Sequence, residues 1–475
     1  MKYLTVNDAV QQAYALHQQM SAGDRAAAEK AERLYMFALN HAPSEPAVLY
    51  LTGSFYAATG KYGLGAVLLA ASLEADPKNA SAWNNLGIAF RQMHNTQRAR
   101  ECFSRALACG DPDKPDASSL NNIATSYNDE GEYESAIEWY DKAISLDPSN
   151  YDAAFNRSMA LLSLGRWAEG WDAYNMGHMA GATIQKTRGL RNYATDTWDD
   201  PPVWDGRKAR CVIVWGEQGI GDEVLFASCL PDIIARSDHV VFDCHKRLVD
   251  IFRRSFPSVT CFPTREDKEM KWPWPKSLPA PDAKISIASL PGLFRRSADA
   301  FPDHAGYLKA DPELVSRYRD PSKFRVGIST CGGTPQTGQE RRSIPIDLWG
   351  PVLSVPGVEF VSLDYVPESA ERMAQAREIF GASIIHDAEM IADLDKQFAC
   401  IAGLDLVIAV NTSVVHFSGA LNVPCLTLTP KVSAWRYGRD GMPWYRSVEI
   451  LRQTELGKWE QPMAEAAERL KGWRR

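Results

Sequence analysis

The chain has 475 residues, of which 45% are hydrophobic and 23% charged. This composition excludes a disordered, collagen-like or disulfide-stapled protein and supplies apolar material for roughly two to four domains. The 52 Lys and Arg residues against 59 Asp and Glu residues give a net charge of −7. A mildly acidic chain argues against non-specific binding to nucleic acid or to an anionic membrane.

Cysteine usage and the N-terminal segment indicate where such a protein resides. The nine cysteines are scattered without a C-x-x-C pair, which is typical of reduced thiols in the cytoplasm. Segment 1–20 is polar and lacks the apolar core of a signal peptide. The longest apolar stretch, around 63–71, is much shorter than a membrane span. We therefore expect a cytoplasmic protein with no membrane span and no nucleic-acid partner.

A repeated pattern occupies the first part of the chain. Pro43 and Pro77 stand 34 residues apart, and Pro148 closes a later copy. Small residues that let two helices approach closely alternate with aromatic residues that fill the groove between them. The matching sets are Trp83, Leu86, Gly87, Phe90, Ala99, Phe103 and Ala106, then Leu120, Ile123, Ala124, Tyr127, Ala136, Tyr140 and Ala143. Their types and spacing resemble the tetratricopeptide repeat (TPR).

The repeats at the two ends of this region are less regular. One copy runs from Asp24 into Tyr56, an insertion at 111–118 delays the next copy, and a divergent last copy ends near Gly181. A generic helical bundle would also be amphipathic, but it would not repeat residue types at one period. We predict a helical TPR solenoid over residues 1–181.

Polar residues recur on the first helix of successive repeats. TPR arrays normally bind peptides or partner domains along a concave face formed by these helices. Asparagine carboxamides there could hydrogen-bond an extended peptide, although any single one is equally well explained as a solvated surface residue. The predicted partner-binding residues are Asn84, Asn85, Asn121, Asn122, Asn156 and Arg157.

The helical pattern fades in the segment 182–208. Proline and glycine break helices, and this segment contains Pro201, Pro202 and Gly206. Its two tryptophans, Trp198 and Trp204, are expected to pack against the domain that follows. We predict a docked linker.

Short apolar runs alternate with amphipathic segments from Cys211 onward. Such alternation is typical of parallel sheets covered by helices on both faces. The runs are CVIVW, HVVFDC, VTCF and KISIA before Pro321, then FRVGIS, VEFVSLD, ASIIH, DLVIAV, PCLTLT and SVEIL. The sequence predicts two Rossmann-like lobes, 209–320 and 321–475, with a ligand cleft at the carboxyl ends of the strands.

Three segments that follow strands have the composition of ligand-binding loops. Segment 216–231 (GEQGIGDEVLFASCLP) opens with three glycines and carries Asp222 at the mouth of a helix. Segment 329–345 combines glycine, threonine and arginine, which suits a phosphate-bearing ligand. Segment 411–424 begins with Asn-Thr-Ser, where the free amides of a helix N-terminus could bind phosphate. Each segment alone is also compatible with an ordinary turn or helix cap.

Together these segments resemble a known family. Residues from about Asp205 to Trp473 resemble the GT-B glycosyltransferases of the heptosyltransferase type, and more closely bacterial proteins that join TPRs to such a domain. The strings that carry the resemblance are GEQGIGD, RRSIP, DLVIAVNTSVVHFSGALNVP and WRYGRDGMPWY. The order of domains is also similar to that of the O-GlcNAc transferases, in which TPRs present protein substrates.

The resemblance implies roles for individual residues. Asp222 is the implied general base for the acceptor hydroxyl, and Arg342 is implied to lie near the donor diphosphate. The other implied donor-binding residues are Gly219, Gly221, Thr330, Asn411, Thr412, Ser413 and His416. Asn411 stands where the family usually has Asp, and His416 fits structural anchoring as well as donor contact. The family typically needs no metal, and no metal-ligand spacing occurs in the sequence.

Three functions remain open from the sequence. The first is a metal-independent glycosyltransferase that uses a nucleotide-sugar donor and needs no cofactor. We expect it to invert the anomeric configuration and to modify a protein, such as a surface or flagellar subunit, that the TPRs recruit. The second is a transferase acting on a lipid-linked or surface glycan. The third is a non-catalytic TPR scaffold with a degenerate GT-B domain.

Overall fold

The structure is a computed structural model that describes residues 4–20, 25–110, 116–176, 191–195, 197–267, 277–333, 338–439 and 441–473. Several predicted features lie outside these residues. They are Asp24 at the start of the first repeat copy, residues 111–115 of the insertion, the array end near Gly181, residues 182–190 of the linker and residues 334–337 of the second loop.

The chain divides into two compact units, Met1–Ala160 and Leu161–Arg475. The first unit consists of helical hairpins. Its helices are α1 (Val6–Gln19), α2 (Arg25–His41), α3 (Pro46–Ala58), α4 (Tyr62–Ala75), α5 (Ala80–Gln92), α6 (Thr96–Cys109), α7 (Ala117–Asn128) and α8 (Tyr133–Leu146). Helix α9 (Tyr151–Ser163) crosses the division, and α10 (Trp167–Asn175) belongs to the second unit.

Close packing within the hairpins depends on the small residues of the repeat pattern. A side chain at Gly87 of α5 would collide with the ring of Phe103 on α6, its Cβ lying 2.5 Å from Cε1. Gly53 of α3 faces Leu69 of α4 in the same way, at 2.9 Å from Cγ. The buried aromatic ring therefore fills the space that the glycine leaves, as the repeat pattern predicts.

The second unit contains two parallel sheets. The first has the strand order β3-β2-β1-β4 and the second has the order β10-β9-β8-β5-β6-β7. Their strands are β1 (Ala209–Trp215), β2 (Ser237–Asp243), β3 (Val259–Phe262), β4 (Ala283–Ser286), β5 (Phe324–Ser329), β6 (Val358–Ser362), β7 (Ser383–Ile385), β8 (Leu406–Val410), β9 (Cys425–Thr429) and β10 (Val448–Arg452).

Helices connect these parallel strands. Around the first sheet they are Ile220–Phe226, Leu230–Ile234, Val249–Ser255 and Leu290–Phe294, and Pro312–Tyr318 leads into β5. Around the second they are Gln339–Arg342, Gly350–Leu353, Ser369–Phe380, Ala388–Ala392, Leu394–Ala402, Ser413–Ala420 and Glu460–Trp473. Strand β8 is buried along its whole length, as expected for a strand with helices on both faces.

In each sheet the chain reverses once the direction in which it adds strands. The chain moves from β1 outward to β2 and β3, then returns to place β4 on the other side of β1. In the second sheet it moves from β5 to β6 and β7, then returns to place β8 beside β5. Ligands of such sheets bind outside the carboxyl ends of strands at these switch points. The switch points lie between β1 and β4 and between β5 and β8, so the three loops predicted from the sequence, after β1, β5 and β8, all follow strands that flank a switch point.

The predicted fold class, a helical repeat region followed by two Rossmann-like lobes, is confirmed. Each of the ten apolar runs contains one strand of the two sheets. Trp204 packs against Phe294 with ring centroids 6.0 Å apart, and its backbone N–H donates to the carbonyl of Lys284, so this end of the linker is docked as predicted. The domain boundaries at 181, 208 and 320 remain predictions.

Candidate functional site

A cavity of about 620 Å³ lies between the two lobes of the second unit. Its walls include the segments that follow β1, β5 and β8, which flank the switch points, together with residues that follow β2, β6, β7 and β9. Among the lining residues that the structure describes, three are arginines (Arg247, Arg342 and Arg436) and one, Asp222, is acidic. This charge distribution suits an anionic ligand.

The cavity brings together nearly all of the residues that the sequence predicts for catalysis and donor binding. Gly219, Gly221, Asp222, Arg342, Asn411, Thr412, Ser413 and His416 line it. Thr330 is absent from the described lining. In the described part of the chain, no group of three or more His, Cys, Asp or Glu side chains is arranged to hold a metal ion.

Asp222 lies in the first turn of the helix Ile220–Phe226. Its Oδ2 accepts a hydrogen bond from the backbone N–H of Gly219 at 3.1 Å, and its Oδ1 forms an ion pair with Nη2 of Arg436. The carboxylate therefore caps its own helix and also faces a guanidinium from the other lobe. Its side chain is 18% exposed, so a ligand in the cavity can reach it.

Other titratable groups near this loop are engaged elsewhere. Glu217 accepts a hydrogen bond from the hydroxyl of Ser286, and Asp243 accepts hydrogen bonds from Tyr193 and Thr264. Burial raises the pKa of the Asp243 carboxyl and raises that of Glu223 to about 7. None of these three carboxyl groups belongs to the described cavity lining.

The two lobes meet closely at Gly221. A Cβ atom there would lie 3.2 Å from Cα of Ser413 and 3.1 Å from Cδ2 of His416. A side chain at this position would require the helix Ser413–Ala420 to give way by a few tenths of an ångström. Glycine therefore permits the helix that carries Asp222 to pack against the helix that carries His416.

Arg342 lies at the end of the short helix Gln339–Arg342. Its Nη1 donates a hydrogen bond to the carbonyl oxygen of Asn411 at 3.2 Å. Gly333, with φ of +86°, packs directly on the guanidinium, where a Cβ would clash. The arginine is therefore held at the carboxyl end of β8, beside the start of the next helix.

Segment 411–413 forms the N-terminal end of the helix Ser413–Ala420. Oδ1 of Asn411 accepts hydrogen bonds from the hydroxyls of Thr427 and Thr429, at 3.1 and 3.0 Å. Thr412 is the N-cap residue, and its buried Oγ1 has no hydrogen-bond partner among the described residues. A cap hydroxyl and the first backbone N–H groups of a helix form a site that favours an anion.

His416 lies one turn into this helix and is buried. Its Nδ1 is 3.3 Å from the hydroxyl oxygen of Tyr445. Burial lowers the pKa of the imidazole to about 4, an effect that Asp222 opposes and Arg436 reinforces. The ring is therefore neutral at pH 7 and can contact a ligand only as a hydrogen-bonding or packing group.

Thr330 has a different environment from the one that the sequence suggests. Its side chain is fully buried; Oγ1 donates to Oδ2 of Asp364 at 2.5 Å and accepts from Nη2 of Arg372 at 2.9 Å. Its backbone N–H donates to Oδ1 of Asp364 at 2.7 Å. The hydroxyl thus supports the loop after β5 from behind, and its predicted contact with the donor stays untested.

Four of the six predicted partner-binding residues of the repeats contact one another in pairs. Nδ2 of Asn122 donates to Oδ1 of Asn84 at 2.9 Å, and Nδ2 of Asn156 donates to Oδ1 of Asn121 at 3.4 Å. Two further contacts complete the set, from Asn85 to Oγ of Ser54 at 2.8 Å and between Arg157 and Asp141 at 2.6 Å. The three asparagine hydrogen bonds connect the first helices of successive hairpins, whereas the ion pair of Arg157 joins α9 to α8. We call the pairs Asn84–Asn122 and Asn121–Asn156 the asparagine ladder.

Sequence reasoning missed two arginines that line the cavity, Arg436 and Arg247. Arg436 belongs to the string WRYGRDGMPWY, which contributes to the family resemblance, but nothing in that string indicates contact with Asp222. Arg247 follows β2 and donates to the carbonyl of Ala392 across the cleft at 3.3 Å. The one usable signal was the repeated arginine and tryptophan content of the tail string.

Comparison with curated proteins identifies the family. The chain is 30% identical over 434 residues to Protein FlbA of Caulobacter vibrioides, an alignment that covers 85% of this chain and 69% of FlbA. The chain belongs to the FlbA family. Because the alignment covers 85% of this chain, it includes residues of both of the compact units described above.

Other matches cover smaller parts of the chain. The tetratricopeptide repeat family matches residues 78–149, which span α5 to α8. A tetratricopeptide repeat and J domain-containing co-chaperone of Fusarium oxysporum is 36% identical over 98 residues, 20% of this chain and 17% of that protein. The crystal structure of MamA, 25% identical, covers 33% of this chain and 92% of MamA with a TM-score of 0.29. None of the described helices is long and apolar enough to cross a membrane.

Proposed function

We propose that this FlbA-family protein is a glycosyltransferase that moves a sugar from a nucleotide-sugar donor to a protein acceptor recruited by its repeats in the cytoplasm. The observation that carries the proposal is the cavity between the two Rossmann-like lobes. It places Arg342 and the N-terminal end of the helix Ser413–Ala420 on one side and Asp222 on the other. The resemblance of the sequence to GT-B glycosyltransferases supports the same assignment.

The second lobe would hold the donor diphosphate. Negative charge develops on this group as the bond between the anomeric carbon and its oxygen breaks. The guanidinium of Arg342, the hydroxyl of Thr412 and the first N–H groups of the helix Ser413–Ala420 would stabilise that charge. The hydroxyl of Thr412 has no partner among the described residues, so a ligand oxygen could take that place.

The first lobe would activate the acceptor. Asp222 would accept the proton of the acceptor hydroxyl while the hydroxyl oxygen forms a bond to the anomeric carbon and the diphosphate departs with the electron pair. Attack from the face opposite the leaving group inverts the anomeric configuration. General-base assistance of this type contributes about 10²–10⁴-fold in rate.

The repeats would recruit the acceptor. TPR arrays bind extended peptides and partner domains, and the carboxamides of the asparagine ladder retain further donors and acceptors beyond the one bond that each pair makes. A surface or flagellar subunit is the kind of protein that we expect there. Acceptor recognition and sugar transfer would then belong to different units of the chain.

The test begins with the donor. A panel of nucleotide sugars is screened by thermal shift with the full-length protein, and binders are then tested with co-expressed surface and flagellar subunits by intact-mass analysis. We expect one donor to stabilise the protein and one subunit to gain the mass of its sugar. Transfer of the sugar to a glycan but not to a protein would favour the glycan transferase. If no nucleotide sugar stabilises the protein, the result would contradict the proposal and favour the scaffold.

A further inference from the structure

A chain of side-chain contacts links helix α10 to the candidate base. The hydroxyl of Tyr174 on α10 accepts a hydrogen bond from Nε2 of Gln218. Oε1 of the same carboxamide accepts from Nη2 of Arg436 at 3.1 Å. This Nη2 also forms the ion pair with Oδ1 of Asp222. We call Tyr174, Gln218, Arg436 and Asp222 the Tyr–Asp relay.

The middle of the relay is fixed by the backbone. Gln218 has φ of +63°, a left-handed conformation that non-glycine residues adopt only where the surroundings hold them. Its carbonyl oxygen accepts a hydrogen bond from Nη2 of Arg265, which is also paired with the buried carboxylate of Glu223. The strained backbone turns the carboxamide so that it can contact Tyr174 and Arg436 at once.

Helix α10 is packed firmly against both lobes of the second unit. The ring of Trp171 lies 5.3 Å from that of Trp435, the neighbour of Arg436, and its Nε1 donates to the carbonyl of Arg295 at 2.9 Å. Asp172 on the same helix pairs with Arg296 at 2.7 Å. A shift of α10 would therefore move the Tyr174 hydroxyl and the segment of Arg436 together.

The relay positions the carboxylate of Asp222 and leaves it able to accept further hydrogen bonds. Oδ1 of Asp222 faces Arg436 and Oδ2 accepts from the N–H of Gly219, so each oxygen has one partner. A carboxylate offers about four lone-pair sites, which leaves capacity for an acceptor hydroxyl. The two contacts fix the direction in which the remaining lone pairs point, and direction decides whether a general base can reach its proton.

We propose that Tyr174, Gln218 and Arg436 are positioning residues that make the orientation of Asp222 depend on helix α10. The proposal rests on the assignment of Asp222 as the base. Helix α10 would then do more than connect the repeats to the lobes. A change in α10 that weakens the Tyr174 contact would release Gln218 and loosen Arg436, and the carboxylate of Asp222 could then turn.

The first experiment measures the state of Asp222 without any sugar donor. Carboxyl groups of the full-length protein are coupled to glycine ethyl ester with a carbodiimide, and each site is quantified by peptide mass spectrometry. In Tyr174→Phe, which removes only the hydroxyl, we expect labelling of Asp222 to rise several-fold. Labelling of Asp172 should stay unchanged, because its pair with Arg296 does not involve the relay.

Controls separate the relay from loss of structure. Tyr140→Phe removes another buried hydroxyl, 3.2 Å from Oγ1 of Thr125 in the repeats, and should leave labelling of Asp222 unchanged. If labelling of Asp172 also rises in Tyr174→Phe relative to the parent, helix α10 has undocked and the relay is not what holds Asp222. Gln218→Leu removes both central contacts, so adding Tyr174→Phe to it should cause no further rise.

The second experiment uses the donor and acceptor found by the mass assay. Tyr174→Phe should lower kcat several-fold with the donor KM unchanged, Arg436→Gln should lower it further, and Arg436→Lys should recover part of the loss. Equal labelling of Asp222 in Tyr174→Phe and the parent would overturn the relay whatever the activity. Increased labelling in a protein that transfers no sugar would support the relay and contradict the proposed function instead.

Discussion

Polar side chains are bonded to one another in the asparagine ladder, whereas those at the cavity keep hydrogen-bonding capacity that a ligand could use. In the ladder, a half-buried carboxamide on one hairpin is bonded to a half-buried carboxamide on the next, as for Asn84 and Asn122. At the cavity, polar groups are held in place from behind but keep capacity in front. The clearest case is Thr412, whose buried hydroxyl has no partner among the described residues.

The difference teaches how the two regions use polarity. Groups that satisfy one another lower the free energy of the folded state and fix the register of neighbouring hairpins. A buried polar atom without a partner costs free energy, and where that atom belongs to a residue lining a cavity, a ligand can supply the missing partner. The ladder is therefore the weaker indication of binding, and the cavity the stronger one. Four substitutions test this comparison.

The largest effect is expected at Asp222. Asp222→Asn keeps the size of the side chain and an oxygen for the cap on Gly219, so the fold should survive. It removes the proton acceptor, so kcat should fall by about 10²-fold or more while nucleotide binding persists. Steady-state kinetics measure kcat, and calorimetry on the same preparation measures the nucleotide affinity.

Asp311→Asn is the matched control for this variant. Asp311 caps the helix Pro312–Tyr318 by accepting from the N–H groups of Glu313 and Leu314, and it is not among the described cavity residues. Its replacement should leave kcat unchanged. Wild-type transfer by Asp222→Asn would show that the proton goes to another group.

The second effect concerns the pH dependence of stability at His416. Burial holds the pKa of this imidazole at about 4 in the folded protein, against about 6.5 in the unfolded chain. Between these values the unfolded state binds a proton that the folded state does not. Stability is therefore lost as the pH falls from about 6.5 towards 4, by about 3 kcal/mol in total.

The comparison variant is His416→Gln, which does not titrate. The free energy of unfolding of each protein is measured by denaturant titration between pH 7 and 4. Over this range the variant should lose about 3 kcal/mol less than the parent. Parallel curves for the two proteins would mean that the buried ring takes up its proton in the folded state.

The third effect is expected at Arg342. Arg342→Ala should weaken binding of a nucleoside diphosphate by about 1.5–3 kcal/mol, the range for hydrogen bonds to charged groups. The dissociation constant is measured by calorimetry with the nucleoside diphosphate that carries the same base as the donor found in the nucleotide-sugar screen. Arg341→Ala is the matched control, because its side chain is not among the described lining residues. Equal affinities in the two variants would exclude Arg342 from the diphosphate site.

The smallest effect is expected in the ladder. Asn122→Ala breaks the bond to Asn84 and should lower the stability of the repeats by about 0.5–1.5 kcal/mol. It should also raise the acceptor KM while leaving nucleotide affinity unchanged. A loss of stability with an unchanged acceptor KM would make the ladder purely structural and would complete the contrast with the cavity.

The fold was more accessible from the sequence than the site. Every strand follows from a short apolar run, because burial on both faces of a parallel strand imposes a local pattern. The loops after β1, β5 and β8 followed from the rule that ligands bind at carboxyl ends of strands. Local pattern and topology were enough for these features.

The contacts of individual side chains required the structure. Arg436 reaches Asp222 from a segment on the other lobe, and no periodicity links two loop residues so far apart in the chain. Thr330 has the residue type and position of a phosphate contact, yet the buried carboxylate of Asp364 holds its hydroxyl. Which of two possible partners a hydroxyl takes depends on three-dimensional packing.

The aromatic packing around α10 has a spectroscopic consequence. Trp171, Trp435 and Trp444 lie with ring centroids 5.3–6.3 Å apart in steep mutual orientations, and Trp171 is fully buried. Indoles this close exchange excitation energy and couple their electronic transitions. The contribution of this coupled cluster to the near-ultraviolet circular dichroism is therefore sensitive to the position of helix α10, so a change in that position alters the spectrum without an attached dye.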